Sequence, residues 1–65
     1  MTDLTPRERQ VLIALAQMST KQAAHSLGIS VKTVETHRVN IYTKLGINNI
    51  VDLVRYAIRA GLIEA

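Results

Sequence analysis

Between Leu27 and Val31 the chain has only Gly28-Ile29-Ser30 in which to stop one helix and start another. Glycine adopts the left-handed backbone that ends a helix, and a serine side chain accepts from the first open amides of the next. A short helix, a tight turn and a longer helix follow one another, with the corner made by Ala24, Gly28 and Val34. The small residue lets the helices approach, the glycine turns the chain, and the branched residue fills the angle between them. That arrangement is the helix-turn-helix pattern.

The same punctuation divides the rest of the chain. Thr5-Pro6-Arg7-Glu8 reads as an N-cap, a proline at the first helical position and a glutamate at the third. This is a capping box, and it predicts a helix from about Pro6 to Ala16 or Gln17. Glu8, Leu12, Leu15 and Ala16 share one face of it, and Arg7, Gln10, Ala14 and Gln17 lie opposite. Ser19-Thr20-Lys21-Gln22 is a second capping box, opening a helix that turns Thr20, Ala23, Ala24 and Leu27 inward. Ser30 caps a third helix, Val31 to about Leu45, which Gly46 ends. Asn49, with Asp52 at the third position, caps a fourth that reaches about Ala60 before Gly61. The expected fold class is all-α, a compact four-helix domain containing a helix-turn-helix and occupying residues 1–65.

Composition agrees with short helices packed through aliphatic side chains. The 65 residues include no Trp, Phe or Cys, and Tyr42 and Tyr56 are the two tyrosines. Without cysteine there is neither a disulfide framework nor a thiolate metal site. His25 and His37 have no companion ligands at metal spacing, so neither metal nor cofactor is expected. His25 is expected to be exposed, and His37 to pack beside the inner stripe of the third helix. No run of roughly 18 apolar residues is present to span a bilayer. The polar start Met1-Thr2-Asp3-Leu4-Thr5-Pro6 does not read as a signal peptide. The expected compartment is the cytoplasm, with its nucleoid. A net charge of +3 favours a polyanionic partner, although many small proteins are as basic.

The third helix is the most informative. Advancing about 100° per residue places Val34, Ile41 and Leu45 on a narrow apolar stripe, flanked by Val31 and Arg38. The opposite side presents Lys32, Glu35, Thr36, Val39 and Thr43, with Thr33, Asn40 and Lys44 along one edge. Lysine suits guanine, glutamate the cytosine amino group, and valine or threonine the thymine methyl. Thr33, Asn40 and Lys44 suit phosphates. A solvated helix face has much the same composition, and the face alone does not separate the two readings.

Taken together, LTPRERQVL (Leu4 to Leu12), STKQAAHSLGISVKTVETHRVNIYTKLG (Ser19 to Gly46) and DLVRYAIRAGL (Asp52 to Leu62) resemble the LuxR/FixJ family of bacterial transcription regulators, in its GerE-type effector domain. The resemblance covers nearly the whole chain and is most specific from Gly28-Ile29-Ser30 through Thr33-Val34-Glu35-Thr36-His37-Arg38 to Lys44-Leu45-Gly46. It implies double-stranded DNA as partner, with the third helix in the major groove and Lys32, Glu35, Thr36 and Val39 facing bases. It further implies phosphate contacts at Thr20 and Lys21, a fourth helix that makes a dimer contact, and a receiver or ligand-binding domain that usually precedes this one. Three departures stand out. Gln17-Met18-Ser19 is one residue shorter than the family's first turn and lacks its glycine, so the turn is tighter or the first helix ends early. Ile50 replaces a common arginine. Glu35 and Val39 occupy positions where some relatives carry lysine.

Other residues carry narrower expectations. Glu8, on the apolar face of the first helix, is expected to cap it and to pair with Arg38. Ile50, Leu53, Val54, Ala57, Ile58 and Ala60 cover more of the fourth helix than the ~100° stripe one core needs. The surplus around Val51, Val54 and Ile58 suits a homodimer on DNA, with half-sites about 10 bp apart. The bland alternative is that Leu62-Ile63 and the ends of other helices cover it. Arg55 and Arg59 read as a solvated basic face. A protein-interaction module or a promoter-reading sigma-factor region are competing readings of the same fold. No nucleophile–base pair, glycine-rich phosphate loop or metal constellation is present, so no enzyme activity is expected.

Overall fold

A computed structural model describes residues 4–64; Met1-Thr2-Asp3, read above as part of a polar start, and Ala65 lie outside the described residues. Four helices follow in order: α1 Pro6–Gln17, α2 Thr20–Leu27, α3 Val31–Leu45 and α4 Ile50–Arg59. No strand occurs among the described residues.

Each start has the cap its sequence announces. The Thr5 hydroxyl accepts from the Glu8 amide at 3.1 Å while the Glu8 carboxylate accepts from the Thr5 amide at 2.9 Å. Ser19 and Gln22 repeat that exchange on α2, with both bonds at 3.1 Å. Ser30 accepts from the Thr33 amide at 3.0 Å. On α4 the Asn49 side chain accepts from the Asp52 amide at 2.9 Å, but Asp52 receives the Asn49 side-chain amide rather than its backbone N–H. Aspartate is one methylene shorter than the glutamate of a full capping box.

Three helix ends are built alike. Gly28 sits in the left-handed region at φ 69°; its amide donates to the His25 carbonyl, and the Ile29 amide reaches back to the Ala24 carbonyl at 3.0 Å. This paired bonding occupies two carbonyls the helix leaves open and folds the next apolar residue onto the core. Ile47 to Tyr42 and Leu62 to Ala57 close α3 and α4 in the same way. α1 differs. It runs its full length to Gln17, and the extended residue Met18 alone separates it from the Ser19 cap. The one-residue shortening therefore tightens the turn without shortening the helix.

α1 is the hub, packing against each of the other three, while α2 and α3 also pack against one another. Val11, Leu12, Ala23, Val34, Ile41, Leu53 and Ala57 are fully buried. Surrounded on three sides, α1 buries a wider arc than one stripe. Ala14, expected on its outer side, is buried, as is Val11. Thr20, expected inward, is only half-buried.

Candidate nucleic-acid interface

The inward residues of α3 leave its opposite side open. Lys32, Glu35, Thr36, Val39 and Thr43 are all exposed, Val39 at 59%. Nothing else in the described chain covers them. Among the described residues Lys32 and Glu35 form no ion pair, although they are three apart on one helix. Two hydroxyls on this side turn back on the helix. Thr36 Oγ1 donates to the Lys32 carbonyl at 3.1 Å, and Thr43 Oγ1 donates to the Val39 carbonyl at 3.0 Å.

The edge of α3 is less uniform. Asn40 is exposed. Thr33 is exposed and shares a 2.8 Å hydroxyl bond with Ser30 at the N-cap. Lys44 leans inward to place its ammonium 2.7 Å from Glu8 Oε1. This ion pair corrects the expected Glu8–Arg38 pairing. Arg38 and Lys44 lie about 60° to either side of Ile41 on the helix, and α1 passes on the Lys44 side. Glu8 is 5% exposed, so the two donors to its carboxylate, Lys44 Nζ and the Thr5 amide, replace water it has lost. The Lys44 ammonium holds the Glu8 carboxyl below its ordinary value; the Thr5 amide adds to the lowering and burial opposes it.

At the start of α2, Lys21 is exposed and Thr20 half-buried. Ser19 satisfies the Gln22 amide, whereas the amides of Thr20 and Lys21 precede the first intrahelical bond and point out of the helix N-terminus, where an anion is favoured. At the other end of α2, Arg7 donates to the Leu27 carbonyl at 3.3 Å and to Gln10 Oε1 at 2.9 Å. Sequence spacing gave no hint of this brace, because its carbonyl partner is 20 residues away. It ties α1 to the last turn before Gly28.

On α4, Leu53 and Ala57 face the core. Val51 at 56%, Ile58 at 37% and the half-buried Val54 occupy the far side. Leu62 and Ile63 pack against the core and leave Val51 and Ile58 open. His25 is exposed and His37 half-buried. No cluster of three or more His, Asp or Glu side chains forms among the described residues, and none of their helices is long and apolar enough to cross a membrane.

Residues 2–57 match the family described as GerE, bacterial regulatory proteins of the luxR family. The chain is 48% identical over 62 residues to the transcriptional regulatory protein MctR of Rhizobium johnstonii, covering 94% of this chain and 29% of that protein. It is 44% identical over 65 residues to the transcriptional regulatory protein FixJ of Bradyrhizobium diazoefficiens, covering 98% and 32%. The transcriptional regulatory protein UhpA of Escherichia coli is 55% identical over 53 residues, covering 80% and 27%. The chain thus spans less than a third of the length of these relatives.

Proposed function

The chain belongs to the luxR family of bacterial regulatory proteins, and on that premise we propose that it binds double-stranded DNA by sequence as the effector domain of a transcription regulator. Residues 1–65 act as one domain. α3 enters the major groove, where Lys32, Glu35, Thr36 and Val39 face base edges. Thr20, Lys21, Thr33, Asn40 and Lys44 meet phosphates, Lys44 from its seat on Glu8. α4 joins two copies through Val51, Val54 and Ile58. The regulator's signal enters through a partner domain of the receiver or ligand-binding kind. The work is done in the cytoplasm, at the nucleoid, and involves no catalysis.

One observation carries the reading. The outer side of a fifteen-residue helix is exposed along its length and mixes a cation, an acceptor, a hydroxyl and an apolar group, as base edges require. The sharp corner at Gly28 and the Glu8–Lys44 pair hold that helix against α2 and α1, which the Arg7 brace ties to one another. A salt titration of binding to duplex DNA tests it. Affinity should fall steeply as salt rises, and Lys21→Ala should reduce the slope of log affinity against log salt by about 1. Binding that is indifferent to salt, or confined to another protein, would favour the protein-interaction reading of the fold.

A further inference from the structure

Hydrogen-bond polarity on the outer side of α3 constrains which bases it can select. Glu35 is exposed and carries a carboxylate, which only accepts. Thr36, beside it, has one hydroxyl proton, and that proton is given to the Lys32 carbonyl at 3.1 Å. What Thr36 turns outward is therefore an oxygen lone pair and a methyl group. Two adjacent side chains on this face are acceptors at once. Lys32, one turn earlier, only donates, and Val39 does neither.

We propose that Glu35 and Thr36 act as an acceptor pair selecting DNA in which two neighbouring bases of the same strand present exocyclic amino groups in the major groove, cytosine N4 or adenine N6. The inference rests on the major-groove reading above and deepens it. In that groove guanine offers O6 and N7 and thymine offers O4, all acceptors. Facing Glu35 or Thr36, those edges leave two acceptors opposed with no proton between them, in a site that has lost water. Cytosine offers a donor, and adenine offers a donor beside an acceptor. Turning the Thr36 proton outward to meet guanine or thymine would break its bond to the Lys32 carbonyl. The neighbouring cation does not cancel the preference, because Lys32 makes no ion pair with Glu35 among the described residues and the carboxylate stays open.

Selection of bound sites from random duplexes, with the 65-residue chain, tests this. The wild-type protein should recover cytosine or adenine at two neighbouring positions of one strand. Thr36→Val keeps the branched shape without the oxygen and should lose the preference at one of them. Glu35→Gln adds an amide donor and should admit guanine or thymine at the other. Both side chains are exposed, and far-ultraviolet circular dichroism checks that the helices persist in each variant. A second arm deletes the amino group, replacing the selected cytosine with 2-pyrimidinone or adenine with purine. Wild-type affinity should fall by about tenfold at each position. Thr36→Val, measured on the same duplexes so that any weakening of the base pair cancels, should be insensitive at its own position. A recovered step whose two amino bases lie on opposite strands at the positions these variants alter, or full affinity for the amino-deleted duplexes, overturns the acceptor pair alone. A wild-type chain with no sequence preference overturns the major-groove reading and the acceptor pair with it.

Discussion

Glu8 joins the start of one helix to the end of another. Its Oε1 accepts from the Thr5 amide, completing the cap of α1, and from the ammonium of Lys44, 36 residues on. Removing the charge takes the Glu8 carboxylate from the Lys44 ammonium and weakens the cap, so Glu8→Gln should lower the urea midpoint at neutral pH. The pH dependence follows from the lowered carboxyl. A folded value below the ordinary 4.5 stabilises the protein fully above that value, and the stabilisation is lost as pH falls through the lowered folded value. The gap between wild type and Glu8→Gln should therefore close as pH falls below 4.5 and through the lowered folded value. A gap that stays constant on acidification would assign the effect to packing. Ser30 is a simpler case. Its exposed hydroxyl serves the Thr33 amide, and Ser30→Ala should cost about 1 kcal/mol in thermal or urea unfolding.

At the scale of elements, the corner between α2 and α3 depends on Gly28. A Cβ there would meet no atom within 4 Å, so the penalty for a side chain lies in the backbone and not in crowding. At φ 69° an L-residue pays for the left-handed conformation, and Gly28→Ala should destabilise by about 1–2 kcal/mol. If instead the variant unfolds at the same denaturant concentration as wild type, the turn has relaxed to another conformation. DNA affinity should then fall, since α3 would leave α2 at a different angle. The opposite end of α1 shows how an element boundary can be made without glycine. Met18 is extended, its amide closes onto the Ala14 carbonyl at 2.9 Å, and Ser19 begins the next cap at once.

For the whole molecule, the deciding feature is that α1 lies at the centre. α4 packs against it with Leu53 and Ala57, which leaves Val51, Val54 and Ile58 outside the single core. A chain with a core this thin gains stability from a partner that covers such a face. Val51→Glu tests the dimer without disturbing the monomer. The site is exposed, and an acidic residue in the first turn of a helix suits its dipole. The variant should melt as wild type does at low concentration but sediment as a monomer on DNA. It should also lose any requirement for half-sites about 10 bp apart. Retention of paired binding would mean that α4 is not the contact.

Much of this protein is local and so is written in its sequence. Thr5, Ser19, Ser30 and Asn49 cap because a short polar side chain reaches amides three residues away, and Gly28, Gly46 and Gly61 stop helices because the following apolar residue is drawn back to the core. The exposed side of α3 was equally legible, since periodicity fixes which residues oppose Val34 and Ile41. What the sequence left open were relations between helices. Arg38 and Lys44 flank Ile41 symmetrically, and only the crossing direction of α1 chooses Lys44 for Glu8. Ala14 is buried because three helices meet on α1, and Arg7 finds the Leu27 carbonyl because α2 ends beside it. Caps and periods act over three or four residues, where the chain's own geometry sets every distance. Partners farther apart are chosen by how whole helices pack, which no short spacing encodes.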